Sequence, residues 1–367
     1  MKVSVIVPMY NVENYIRETI ASLQDQTLTE VEYILVDDGS TDTTHQVVES
    51  LTQDDPRFRL IKRENHGPAA SRNFSLTLVT GDYICFLDSD DLLGKESLSI
   101  MYNAAINQQA DLVTGNILRF NSTRTWRVKA YEHRGVTRPG VKTLADNPEL
   151  LIAMGAPGKL YKRELIEGLI FAEDLRLGED QSFVAHALSR AKKIVTVGED
   201  VYLYRSREDE TQSLTQRALT NSAEALEYLY SMVEQVRPAL PDKVLWAYYL
   251  SRVVTLDMWP RLRAAIRTRD EEVQTQVLTS FHHWISPMSA ESFHPAFDIH
   301  AHLLAGLLVN LRYVKSTARP AALGLLKVLS HQAPLTSKLR VPVVILHTTI
   351  VGLVRMLSRQ KPTRDSS

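Results

Sequence analysis

Four short polar clusters hold the residues whose types and spacing could do chemistry. Asp88-Ser89-Asp90 follows an apolar run. Carboxylates one residue apart on a turn can both face a divalent cation, and their hard oxygens suit Mg²⁺ or Mn²⁺. Such a cation would hold phosphate oxygens and neutralise a diphosphate leaving group. An acidic turn capping the next helix would account for the same residues. Asp37-Asp38-Gly39-Ser40 offers Asp38 as an acceptor for a base N–H, or else a plain Asx-capped β-turn. Tyr10 could stack on a base, or simply close the first helix against a sheet. In Asn65-His66-Gly67-Pro68-Ala69-Ala70-Ser71-Arg72-Asn73, Arg72 sits one turn into a helix, within reach of a phosphate, a sugar or Asp88. A surface ion pair worth under about 1 kcal/mol is the plainer reading of Arg72. The small residues Ala69, Ala70 and Ser71 allow helix and sheet to approach closely.

The elements that must position these clusters follow from the apolar pattern. Val3–Pro8 is a continuous apolar run, as in a strand buried on both faces. Asn11 is placed to cap a helix with Val12, Ile16, Ile20 and Leu23 on one face. Val31–Val36 is a second strand, and Asp42 caps a helix with Val47, Val48 and Leu51 inward. Arg57–Ile61 is a third strand, and Pro68 opens a helix running to about Val79. Tyr83–Leu87 is a fourth strand. This β-α-β-α-β-α-β order predicts a parallel sheet, whose ligands collect at the strands' carboxyl ends, where all the polar clusters fall. Farther on, 98–108 reads as a helix, Leu112–Phe120 as a strand and 121–148 as polar loop. A helix is expected near Lys162–Glu167, another from Glu179-Asp180, and short strands at Ile194–Val197 and Val201–Tyr204.

Composition sets outer bounds. The chain has 367 residues, 44% hydrophobic and 23% charged, with a formal net charge of −1, so it is an ordinary globular chain with no overall pull toward nucleic acid. The single cysteine, Cys85, excludes an intramolecular disulfide or a Cys-cluster metal site and reads as a buried, inert thiol. His282-His283 and His300-x-His302 lack a metal-site framework. Residues 199–305 contain no glycine, which reads as helical. Trp246, Tyr249, Val253 and Trp259 read as bundle core, broken at Pro260. Residues 310–367 hold ten basic residues and one acid, Asp365. No export signal or membrane-spanning segment is evident.

The four clusters, in the order and spacing Val5-Ile6-Val7-Pro8-Met9-Tyr10-Asn11, Val36-Asp37-Asp38-Gly39-Ser40-Thr41-Asp42, Asn65-His66-Gly67 to Asn73, and Phe86-Leu87-Asp88-Ser89-Asp90-Asp91, resemble the family 2 glycosyltransferases of the GT-A fold. The resemblance covers roughly 1–215 and continues through Gly158-Lys159-Leu160-Tyr161, Gly178-Glu179-Asp180-Gln181-Ser182-Phe183, Tyr204-Arg205 and Ser213-Leu214-Thr215. It implies an α/β fold: a Rossmann-like, mostly parallel sheet with flanking helices, followed by an α-helical C-terminal region. It also implies a nucleotide-diphospho-sugar donor, a UDP-sugar, with Mn²⁺ or Mg²⁺. Pro8, Tyr10 and Asp38 would then hold base and ribose, Asn65 and Arg72 would touch the donor, and Asp88 would contact ribose or sugar. Asp90 would ligate the metal. Asp180 would be the general base on an acceptor hydroxyl, with Glu179 orienting sugar or acceptor. Attack opposite the leaving diphosphate would invert the anomeric carbon. Without the resemblance, helix capping is the simpler account of Glu179-Asp180. Arg205 could bind the diphosphate or an anionic acceptor, or lie on the surface as an ordinary arginine.

The domain organisation expected is a transferase domain at 1–215, a helical domain at 216–309 and a basic amphipathic helical tail at 310–367. The acceptor would be a glycan, wall polymer or lipid-linked saccharide. The helical part would extend the acceptor site or mediate self-association into a homo-oligomer. The tail could lie on an anionic lipid surface or pack on the body with its charges solvated. The expected location is cytoplasmic, with peripheral placement on the inner face of the cell membrane. Two other classes compete. Phe86-Leu87-Asp88-Ser89-Asp90 resembles a haloacid-dehalogenase phosphatase nucleophile motif, though it comes about 80 residues late and carries Leu92 where Thr or Val is wanted. A non-catalytic polymer-binding module on a transferase fold is the other, and intact Asp38, Asp90 and Asp180 speak against it.

Overall fold

The computed structural model describes residues 1–136, 138–208, 222–297, 299, 303, 307 and 314–332. The chain forms two compact units, Met1–Arg217 with Ser231–Trp246, and Ala218–Tyr230 with Ala247–Ser367. Ser213-Leu214-Thr215 and most of the basic tail lie outside the described residues.

The first unit is built on one ten-stranded sheet. Its strands are β1 (Val3–Met9), β2 (Val31–Asp37), β3 (Phe58–Lys62), β4 (Tyr83–Phe86), β5 (Leu92–Leu93), β6 (Leu112–Phe120), β7 (Thr125–Arg127), β8 (Gly140–Lys142), β9 (Lys159–Lys162) and β10 (Ile194–Arg205). They lie in the order β3-β2-β1-β4-β9-β6-β10-β5, with β7 on β6 and β8 on β10. The first four strands pair in parallel, and β10 is parallel to β6. Between these two groups β9 runs antiparallel to both β4 and β6. All seven residues of β1 are buried, each large apolar side chain there contributing roughly 1.5–3 kcal/mol. Cys85 is fully buried in β4, and burial pushes its thiol up to about 12, so it is inert as expected.

The helices of this unit are α1 (Ile16–Gln24), α2 (Thr44–Thr52), α3 (Pro68–Leu76), α4 (Ser97–Gln108), α5 (Lys129–His133) and α6 (Glu179–Arg190). Asn11 does not cap α1, which starts five residues later. It takes a left-handed conformation (φ 50°), and its Oδ1 accepts from Thr41 N at 2.9 Å, tying the loop after β1 to the loop after β2. Asp42 does cap, accepting from Thr44 N at 2.9 Å. Residues Arg163–Ile166 make only a 3₁₀ turn, and 121–148 contain β7, α5 and β8 instead of plain loop. The two short strands expected after residue 193 are one. Pairing with β6 continues through a bulge between Thr196 and Asp200, and Asn116 Nδ2 holds Gly198 O at 2.6 Å across it.

The second unit is helical. It takes in the first part of α7 (Ser222–Val236), the end of α8 (Lys243–Arg252), α9 (Trp259–Arg267), α10 (Glu271–Ile285) and α11 (Arg319–Gln332). Val253, Val254, Leu262, Val277, Phe281 and Ile285 are buried in its core. Pro260 does not end the structure. It lies just after a π-helical turn at Val253–Met258, which runs without a break into α9. Asp270 caps α10 through Glu272 N and Val273 N. Among the described residues, no helix is long and apolar enough to cross a membrane.

Candidate active site

The carboxyl ends of β1, β2 and β4 put three loops side by side. Tyr10 follows β1 with its ring half exposed, while Pro8 is buried within the strand. Asp38 follows β2 and is only 3% exposed. Its carboxylate is held by two backbone donors of the loop before α3, Gly67 N at 2.7 Å and His66 N at 3.2 Å. Gly39 makes this approach feasible. It has φ +78°, and a Cβ there would come within 3.0 Å of Asn65 N. Asn65 itself is exposed on the same rim. Asp37 turns inward, to Ser40 N at 2.9 Å and His45 Nδ1 at 3.0 Å.

The acidic turn after β4 is held on several sides. Thr19 Oγ1 of α1 lies 3.0 Å from the carbonyls of both Ser89 and Asp91. Leu92 and Leu93 pair with Leu203 and Tyr202 of β10. The Tyr202 hydroxyl donates to Asp91 Oδ2 at 2.7 Å and accepts from Asp88 N at 3.2 Å. Arg205 N reaches Asp91 Oδ1 at 2.6 Å. Burial, together with the charges of Asp90 and Asp88, holds the Asp91 carboxyl well above the ordinary range. Burial also raises Asp90, although Arg207 Nε donates to its Oδ2 at 2.7 Å. Burial and mutual repulsion thus work against full ionisation of the turn.

Arg72 joins this turn to the amino end of α6. It is 5% exposed. Nη2 donates to Asp88 Oδ1 at 2.9 Å and Nη1 to Glu179 Oε1 at 3.0 Å. Burial works against its charge, but Asp88, Glu179 and Asp180 outweigh burial and raise its pKa. Gly178, in a left-handed conformation (φ +77°), starts α6 and sends Glu179 and Asp180 into its first turn. Asp180 Oδ2 accepts from Ala156 N at 3.1 Å. Oδ1 accepts no hydrogen bond among the described residues. Burial and the neighbouring Glu179 push the Asp180 carboxyl up to about 7, against the pull of Arg72 and Ala156 N–H.

The structure thus joins Arg72, Asp88 and Glu179 in one bonded group, with Asp180 beside Glu179 at the start of α6, while Pro8 lies in β1 and Tyr10, Asp38, Asn65 and Asp90 lie in the loops at the strands' carboxyl ends. Arg205 follows on β10, its guanidinium committed to Asp90 O at 2.7 Å and Glu18 Oε2 at 2.8 Å. It braces the acidic turn. A cavity of about 430 Å³ lies beside it, lined by Tyr15, Glu18, Phe120, Arg205 and Arg207 among others. Sequence reasoning gave no role to Lys159, Tyr202, Arg207 or Asp91. Asp91 is the last acid of a motif already noted. Arg205-x-Arg207 carries the two-residue spacing of one strand face. Nothing in the sequence marks Tyr202, whose partners come from residues 88 and 91.

The donor set suits a divalent cation. Asp90 supplies hard oxygen in an acidic turn. Among the described residues, no three His, Cys, Asp or Glu side chains converge on a protein-only cage. One carboxylate completed by phosphate oxygens is how Mg²⁺-type ions are ordinarily held.

The Glycosyl transferase family 2 model matches residues 4–169. Glycosyltransferase GlyG of Streptococcus pneumoniae serotype 4 is 30% identical over 56% of this chain and 71% of its own. The poly(ribitol-phosphate) beta-glucosyltransferase of Bacillus spizizenii is 30% identical over 80% of this chain and 46% of its own. The chain spans less than two thirds of the first curated relatives it matches, and only 31% of one of them. Among solved structures, residues 1–349 of Staphylococcus aureus TarS in complex with UDP-GlcNAc superpose with a TM-score of 0.69 at 23% identity, covering 90% of this chain and 93% of that one. That likeness is one of fold, and it agrees with the GT-A-type sheet expected from the sequence.

Replacing Arg72 by Met should destabilise the protein by about 2 kcal/mol, because it leaves two partly buried carboxylates without their charged hydrogen-bond donor. Adding Asp88→Asn and Glu179→Gln in that background should recover part of the loss. Urea denaturation of the three variants checks this, and an undiminished midpoint for Arg72→Met would contradict it.

Proposed function

Because the chain belongs to glycosyl transferase family 2, we propose that it moves a sugar from a UDP-sugar onto a hydroxyl of a cell-wall polymer, glycan or lipid-linked acceptor, with inversion at the anomeric carbon. The observation that carries this reading is Asp180, a half-buried carboxylate with a free oxygen and a pKa of about 7, beside the Arg72–Asp88–Glu179 group. An acceptor alcohol is far too weak an acid to ionise alone. A positioned base with a pKa near the working pH contributes roughly 10²–10⁴-fold. Asp180 takes the hydroxyl proton as the acceptor oxygen bonds to the anomeric carbon, and the bond from that carbon to the diphosphate oxygen breaks. Tyr10, half exposed, offers a face for the base, and Asp38 and Asn65 line its polar side. Arg72, fixed between two acids, presents positive charge toward the donor, and Glu179 orients sugar or acceptor.

Asp90 would hold the divalent ion. Bound there, the ion offsets the charge developing on the diphosphate. The polymer acceptor is supported by the names of relatives that act on poly(ribitol phosphate). The UDP-sugar is supported by the UDP-GlcNAc complex of the TarS fragment. Neither the phosphatase nor the non-catalytic module draws support from the matches. The ten basic residues of 310–367 support placement on an anionic membrane surface, at roughly 1 kcal/mol for each residue close to the lipid.

Asp180 must be ionised to accept a proton, and its pKa is raised. Transfer should therefore fall tenfold per pH unit below about 7 and level off above it. Asp180→Asn should retain UDP-sugar binding in calorimetry while losing transfer. A flat profile from pH 5 to 8 would remove the base role. Asp90→Ala should weaken Mn²⁺ binding in the presence of UDP at least tenfold, roughly the scale of losing a metal-site contact, as read by electron paramagnetic resonance. Unchanged Mn²⁺ affinity would place the ion elsewhere. Replacing Arg355, Arg359, Lys361 and Arg364 with Glu should abolish sedimentation with phosphatidylserine vesicles. Cosedimentation unaffected by the change would refute the membrane placement.

A further inference from the structure

Two buried polar side chains near Asp180 have no part in the chemistry above. Lys159 opens β9, the antiparallel strand between β4 and β6, and is 2% exposed. Its Nζ donates to Gly155 O at 2.6 Å, its one hydrogen bond among the described residues. Tyr161, two residues on and so on the same face of the strand, is fully buried. Its hydroxyl donates to Ala156 O at 3.0 Å. Both therefore grip adjacent carbonyls of one loop, and the N–H of that loop's Ala156 is the donor that holds Asp180 Oδ2. The ring of Tyr161 also packs edge-on against Phe183 of α6, with centroids 5.7 Å apart. Phe183 stacks on Phe171 at 4.1 Å and meets Phe86 edge-on at 5.5 Å. The helix that carries Asp180 is fixed by the same strand that fixes its hydrogen-bond donor.

Stability does not explain a lysine here. Burying an ammonium is costly, and a methionine would fill similar space at less cost. We propose that Lys159 and Tyr161 are positioning residues for Asp180, holding the 155–156 loop so that Ala156 N–H aims the carboxylate, with the Lys159 charge tempering the negative field around it. This builds on the reading of Asp180 as the base. The charged and titratable groups facing Asp180 are Glu179 on its own helix, Asp88 after β4, Arg72 on α3, and Lys159 and Tyr161 on β9. Acids dominate that set, so loss of Lys159 leaves Asp180 in a more negative field. Burial lowers the Lys159 ammonium to about 8, and the nearby Asp180 charge opposes that fall.

The test uses the full chain as Lys159→Met, Tyr161→Phe and Asp180→Asn, each checked by thermal melting. Lys159→Met should lower kcat at least tenfold, within the roughly 10²-fold that an ångström of misplacement costs. Its donor KM should stay within about twofold, since the donor contacts remain. The acid limb of its pH profile should move to higher pH. Tyr161→Phe, isosteric apart from the hydroxyl, should lower kcat in the same direction by a smaller factor, and it decides the matter if Lys159→Met does not fold. Folded variants with unchanged kcat and acid limb, beside an Asp180→Asn that loses transfer, would overturn this proposal and leave the base role standing. An Asp180→Asn that retains transfer would overturn both.

Discussion

One buried guanidinium governs the arrangement of charge in this protein. Arg72 has almost no access to water, yet three acids, Asp88, Glu179 and Asp180, lie around it. A planar fork can bond two carboxylates at fixed angles at once, which an ammonium cannot do. That geometry sets the distance between the end of β4 and the start of α6, segments about ninety residues apart in sequence. The third acid, Asp180, takes no bond from the fork. Its carboxyl is left to burial and to repulsion from its neighbours, which is why it titrates near neutral pH.

The acidic turn obeys a complementary rule. Carboxylates 88, 90 and 91 would spring apart in a free loop. Here Thr19, Tyr202 and the backbone of Arg205 satisfy the turn's own polar groups, and β5 anchors its far end to β10. The turn is made rigid by neutral donors and by sheet pairing, while Arg72 and Arg207 pair with Asp88 and Asp90. Arg205, the last residue of β10, holds the carbonyl of Asp90, and Arg207 just beyond the strand holds its carboxylate. A cation bound at Asp90 would have to share that carboxylate with Arg207 or displace it.

Much of this could be read from the chain because it depends on local pattern. The four parallel strands are marked by short β-branched and apolar stretches between turn residues. The polar clusters had to fall at their carboxyl ends, which placed Asp38, Asp88 and Asp90 on one rim before any coordinates. What escaped depends on contacts between distant segments. The bulge that fuses residues 194–205 into one strand exists only because β6 lies alongside. Asn11 prefers the left-handed turn that reaches Thr41 over the cap of α1, and that choice belongs to the neighbouring loop. Tyr202 and Lys159 look like ordinary strand residues until their partners at 88, 91 and 155 are known.

The proposed base role of Asp180 would also carry a cost in stability, and its sign follows from linkage. Asp180 has a pKa raised from an ordinary 3.8 to about 7 in the folded chain, so the native state binds its proton more tightly than the unfolded state does. The stability contributed by the protonated group is complete below about pH 4 and declines as pH rises toward 7, where the carboxylate becomes useful. Ionising Asp180 thus works against folding in the range where a base is needed. The surrounding sheet must supply the difference. It does so with β9, wedged antiparallel between β4 and β6, and with the ring cluster of Phe86, Tyr161, Phe171 and Phe183 packed beneath α6. A rigid apolar floor under a half-buried carboxylate holds it in place despite its raised pKa.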